Sequence, residues 1–235
     1  MKILAFDGTA KAASVALCED GKILASYTVD NGLTQSELLL PMSESVLRSL
    51  KLEFADVDAF ATSVGPGSFT GVRIGVSLIK GLAFGRDLPC IAVSTLEALA
   101  ENLSPLKGIL VPCMDARRNQ VYNALFHSDG ESITRLCEDG AISLDELARE
   151  LQDYDEPIYL SGDGYGVASA ALKNAGITVF GTPALLINEN AASVAAVAER
   201  KYKAGEFVTD GELSPTYLRL PQAERERLER EAAKH

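Results

Sequence analysis

The chain has 235 residues, 47% of them hydrophobic, and a formal net charge of −11. That length supports one large or two modest domains, each with a real core. The acidic balance argues against broad, sequence-independent nucleic-acid binding by this chain alone.

Three strand candidates open the chain: residues 2–7, 13–18 and 23–29, with Asp20-Gly21 as a hairpin turn between the last two. A helix is expected from Gln35 to Leu50, begun by the capping box Thr34-x-x-Glu37. Its apolar residues Leu38, Leu39, Met42, Val46, Leu47 and Leu50 recur at intervals of three and four. A strand over 59–64, the stretch TSVGPGSFTGVRIG (62–75) and a helix over 71–84 follow. Then come a strand over 90–93 and a helix capped by Ser94-x-x-Glu97.

The second half repeats the order. Residues 108–116, 120–126 and 132–136 form three strands, with Asp129-Gly130 between the last two. Ser143-x-x-Glu146 caps a helix to Leu151, and a strand over 157–162, a helix to Asn174, a strand over 177–180 and an Ala-rich helix over 190–204 complete the set. Each half reads β-β-β-α-β-α-β-α, and Asp7 and Gly21 recur as Asp115 and Gly130. Hairpins feeding α/β crossovers predict two mixed sheets flanked by helices, with a cleft between them near Asp7 and Asp115. The expected units are 1–105 and 106–220, followed by a charged tail, 221–235, read as a solvent-exposed helix.

The two histidines, His127 and His235, are not spaced to share a metal, which argues against a histidine metal site or a Ser-His-Asp triad. Cys18, Cys90, Cys113 and Cys137 form no CxxC pair and read as small hydrophobes of a reducing compartment. The first residues lack a signal peptide's apolar run, and no apolar run is long enough to span a membrane. A soluble, cytoplasmic protein without membrane association is expected.

The segments ILAFDGTAKAASVAL, LTQSELLLPM, GPGSFTGVRIG, GLAFGRDLPCIAVSTLEALA and PTYLR (215–219) resemble the TsaB (YeaZ) family from Lys2 to about Arg219. The resemblance implies an actin/Hsp70/sugar-kinase fold of two ribonuclease-H-like subdomains. It also implies a non-catalytic scaffold subunit of the machinery that makes threonylcarbamoyladenosine at position 37 of tRNA. The implied partners are the catalytic TsaD-like subunit and, through it, a TsaE-like ATPase, with tRNA reached only through the complex. A homodimer is the expectation when the chain is alone. TsaD-type enzymes hold their metal with an HxxxH pair on the first helix, where this chain has no histidine. No catalytic residue, metal or cofactor is therefore assigned. Leu33 stands where relatives often carry His.

Three residue groups remain to be placed. Asp7, Gly8 and Thr9 are weak candidates for a phosphate turn, or else they cap a strand end. An independent ATP-binding phosphotransferase or ATPase is the alternative function. GPGSFTG is not a Walker A loop, because Val72-Arg73 stands where Lys-Ser/Thr would be. Gly71 and Gly75 lie four apart, as do Gly81 and Gly85, so each pair bares one helix face to a close neighbour. That neighbour is this protein's own sheet or first helix, or a partner's helix. With the partner reading, the interface comprises Leu39, Met42, Ser43, Val46, Gly71, Arg73, Gly75, Leu78, Ile79 and Leu82. Gly75→Leu is then expected to abolish partner binding with the fold intact.

Overall fold

The computed structural model describes residues 1–219; the charged tail expected as a helix lies outside the described residues. The first sheet contains β1 (Lys2–Asp7), β2 (Ala13–Glu19), β3 (Lys22–Val29), β4 (Ala59–Ser63) and β5 (Cys90–Val93). Its order is β3-β2-β1-β4-β5: the first three strands run antiparallel, and β4 and β5 lie parallel to β1. The Asp20-Gly21 turn sits where expected, with φ of 47° and 81°.

The helices begin where their caps predict. The Glu37 side chain accepts the Thr34 N–H at 2.9 Å ahead of α1 (Gln35–Ser49). Ser68 accepts the Gly71 N–H at 3.2 Å, so α2 (Phe69–Ala83) starts two residues before the expected Gly71. Ser94 and Ser143 cap α3 (Thr95–Asn102) and α4 (Leu144–Leu151) in the same manner.

The second sheet repeats the first with one departure. Its strands are β6 (Gly108–Arg117), β7 (Gln120–Asn123), β8 (Phe126–Ser128), β9 (Ile133–Arg135), β10 (Gly140–Ser143), β11 (Ile158–Ser161) and β12 (Val179–Phe180). The expected strand over 120–126 is broken at Ala124-Leu125. Its two pieces, β7 and β8, pair with opposite ends of the long β6. The third position is also divided: β9 pairs with β8, and β10, absent from the sequence reading, pairs with β7. Strands β11 and β12 run parallel to β6, joined by α5 (Tyr165–Asn174).

The covering helices cross between the halves. Helices α1 and α2 pack on one face of the first sheet through Leu39, Val46, Val72 and Ile79. The other face of that sheet is covered by α6 (Ala191–Lys203), whose Val194, Ala195, Val197 and Ala198 meet Ile3, Ala5, Ala61 and Ile91. Conversely, α3 of the first half lays Leu96, Leu99 and Leu103 on Leu110, Met114 and Phe126 of the second sheet. Helices α4 and α5 close the far side of that sheet. Five layers result, α1/α2, sheet, α6/α3, sheet, α4/α5, which is the two-subdomain actin-like architecture. The expected second unit, 106–220, is corrected at its end: α6, Val208 and Leu213 belong to the packing of the first sheet. All four cysteines are free, three of them buried. Among the described residues no helix is long and apolar enough to cross a membrane.

Candidate functional site

The turn after β1 holds itself closed. Asp7 is 1% exposed, and one carboxylate oxygen accepts both the Thr9 N–H at 3.0 Å and the Thr9 hydroxyl at 2.9 Å. The other oxygen accepts the Ser63 hydroxyl from β4. Burial raises the Asp7 pKa, and these three donors oppose the rise. The second half repeats the device: Asp115 accepts the Arg117 N–H at 2.8 Å, two residues on. In both turns the carboxylate accepts the backbone N–H two residues on, the geometry that caps a strand end.

GPGSFTG is built against this turn. The Ser68 N–H donates to the Thr9 carbonyl at 2.7 Å. A Cβ on Gly67 would stand 2.6 Å from the same oxygen, and one on Gly71 would stand 1.9 Å from the Gly8 carbonyl. At Gly75 it would meet the Thr62 hydroxyl at 2.9 Å. These glycines therefore let α2 lie directly on β1 and β4, a close approach of one backbone to another within the chain.

That orientation decides the residues expected to meet a partner. Leu39, Met42, Ser43, Val46, Gly71, Gly75 and Ile79 are all buried in this chain's own packing and offer no surface. This corrects their expected placement, and with it the Gly75→Leu experiment, which would disrupt the core. Arg73 is exposed, and Leu78 and Leu82 are half-buried. Ile74, not among the expected residues, lies half-buried beside Leu78, and Gly81 is exposed with nothing within 4 Å of its built Cβ. Ile74, Leu78 and Gly81 fall within about 60° of one another around the helix. On the neighbouring α1, Leu40 and Pro41 are exposed and Leu38 is half-buried.

Between the two sheets lies a cleft of about 410 Å³, bordered by Thr9, Lys11, Phe69, Asp115, Asp163 and Tyr217. Behind the lining residue Asp163, Glu189, 5% exposed, accepts the Asp163 N–H at 3.3 Å. Burial, then the charge of Asp7, pushes the Glu189 carboxyl up to about 8. Burial also raises Asp163, against the Asp115 N–H that it accepts at 2.8 Å. Among the described residues, no three His, Cys, Asp or Glu side chains are placed to hold a metal ion.

The sequence reading missed the engagement of PTYLR. Arg73 donates to the Tyr217 hydroxyl at 2.7 Å and lies 3.8 Å over the Phe69 ring, which itself stacks on Tyr217 at 4.7 Å. Arg219 donates to the Ala116 carbonyl of β6 at 2.8 Å. The Arg73–Tyr217 and Arg219–Ala116 contacts join positions more than a hundred residues apart, and no local spacing announces them.

A family model described as TsaD, tRNA N6-adenosine threonylcarbamoyltransferase, matches residues 34–226. The "tRNA threonylcarbamoyladenosine biosynthesis protein TsaB" of Bacillus subtilis is 31% identical, over 95% of this chain and 96% of its own length. The protein of the same name from Escherichia coli is 32% identical, over 93% of this chain and 95% of its own length. The solved structure of YeaZ from Pseudomonas aeruginosa superposes with a TM-score of 0.76 at 27% identity, covering 92% of this chain and 99% of that one. Sharing nearly its whole length and its fold with these proteins, the chain belongs to the TsaB (YeaZ) family.

Proposed function

We propose that this chain serves the biosynthesis of threonylcarbamoyladenosine in tRNA as a non-catalytic subunit that pairs, through the outer face of α1 and α2, with a TsaD-type catalytic relative. A TsaE-like ATPase joins through that relative, tRNA is reached through the assembly, and the same face makes a homodimer when the partner is missing. The observation that carries the reading is the outer stripe of α2. Ile74, Leu78 and Leu82 are left half-buried beside Gly81, whose bare backbone faces open space. A half-covered apolar stripe next to a glycine suits a second helix at close range. At the turn after β1 the Asp7 carboxylate and both the N–H and the hydroxyl of Thr9 are already paired, which supports a role other than phosphate chemistry.

The test is Gly81→Arg, co-expressed with a TsaD-type subunit. The side chain projects from a helical position with free space and no left-handed φ, so the fold should be retained. Co-purification should fall at least tenfold, and the isolated variant should run as a monomer in light scattering. Undiminished co-purification by a folded Gly81→Arg protein would remove α2 from the interface.

A further inference from the structure

We propose that the segment from Leu213 to Arg219 is an interlobe latch that shuts the mouth of the cleft, with Arg73 as its release point. The segment is anchored at three places on the first lobe and a fourth on the second. Leu213, 1% exposed, is buried in the α1–α2 side of the first sheet. The Thr216 N–H then donates to the Val64 carbonyl at 2.8 Å, and its own carbonyl passes so close to Gly65 that a Cβ there would lie 2.5 Å away. Tyr217 is held on α2 by the Phe69 stack and the Arg73 hydrogen bond. From there the chain crosses the cleft, with Thr216 to Arg219 forming part of its wall, and Arg219 fastens to the Ala116 carbonyl on the other lobe.

The anchors differ in kind. Leu213 and Thr216 are buried or backbone-bonded, whereas Arg73 and Tyr217 are exposed and hold the middle of the segment through one charged hydrogen bond and ring contacts. An exposed charged tether is open to competition from a carboxylate or carbonyl brought by another molecule, and a buried leucine is not. Loss of Arg73 from Tyr217 removes the charged tether between Thr216 and Arg219, and the Phe69 stack and the second-lobe fastening at Ala116 must then hold that span. The latch requires no partner; that a subunit seated on α2 trips it rests on the reading above.

Hydrogen exchange on the full-length chain tests this directly. In Arg73→Ala and in Arg219→Ala, the amides of Thr216 on one lobe and Arg117 on the other should exchange about tenfold faster, the cost of losing one charge-assisted hydrogen bond. Those of β1 and β4 should be unchanged. Tyr217→Phe, which keeps the stack and deletes the hydroxyl, should show the same pattern at smaller size. Faster exchange confined to 217–219 means a fraying end and overturns the latch, and a rise spread equally over β1 and β4 overturns it by reporting general loss of fold. Because these variants are measured alone, the result stands whether or not Gly81→Arg disturbs a partner.

Discussion

Gly71→Ala and Gly81→Ala place the same methyl group on the same helix and should shift stability in opposite directions. Alanine is favoured over glycine within a helix by about 0.8–1 kcal/mol. At Gly81 nothing opposes that gain, since no atom lies within 4 Å of the built Cβ, and a stabilisation of about 0.5–1 kcal/mol is expected. At Gly71 the methyl would stand 1.9 Å from the Gly8 carbonyl oxygen and 3.1 Å from its carbon. That oxygen is backbone, and it belongs to a turn fixed on both sides of Asp7 by Thr9 and Ser63, so it cannot swing aside as a side chain would. The start of α2 must lift by roughly 1 Å or more, at about 1–3 kcal/mol for overpacking. The Ser68–Thr9 backbone bond is stretched with it, at about 1 kcal/mol. After the gain in propensity, Gly71→Ala should lose about 1–3 kcal/mol. Urea denaturation followed by circular dichroism reads both changes as shifts in midpoint at constant slope. If Gly71→Ala unfolds at or above the wild-type midpoint, contact with the first turn is not the reason for glycine there.

Glu189 should make stability depend on pH. Its folded pKa, raised to about 8 from 4.5, means that the folded state retains a proton the unfolded chain releases. Stability is fully present below pH 4.5 and is lost as pH rises to about 8, by at most about 5 kcal/mol at 1.4 kcal/mol per tenfold change in proton affinity. Glu189→Gln should flatten the profile between pH 5 and pH 8 in thermal melts; an unchanged slope would show that the loss arises elsewhere. A fragment of residues 1–105 should fail to fold, because Ile3, Ala5, Ala61 and Ile91 lose the cover of α6. A dispersed amide NMR spectrum from that fragment would contradict the exchanged-helix packing.

The features that sequence reading recovered are those determined within a few residues. The serine caps, the Thr34–Glu37 box and the Asp-Gly turn each satisfy local backbone groups, so their spacing alone announces them. The exchange of α3 and α6 was not legible, because an apolar stripe states that a helix is covered and not which sheet covers it. Strand β10 escaped for a related reason: Gly140–Ser143 is half-buried throughout and carries no alternation.

The glycines of α2 lie between these cases, because spacing held more than the reading took from it. Four residues advance a helix by about 40° beyond a full turn, so Gly71 and Gly75 share a face, as the reading had it. Six residues separate Gly75 from Gly81, which carries the second glycine to about 120° away, onto a different face. Two faces need two neighbours. One is the turn at Gly8 and the Thr62 hydroxyl, close enough to forbid a methyl, and the other is open space beside Ile74 and Leu78. A single helix thus meets its own sheet through one bare face and leaves the other uncovered, the face to which the proposed pairing assigns a foreign helix. Of the alternatives posed for the glycine pairs, packing on this protein's own sheet accounts for Gly71 and Gly75, and Gly81 is the glycine left for the proposed partner.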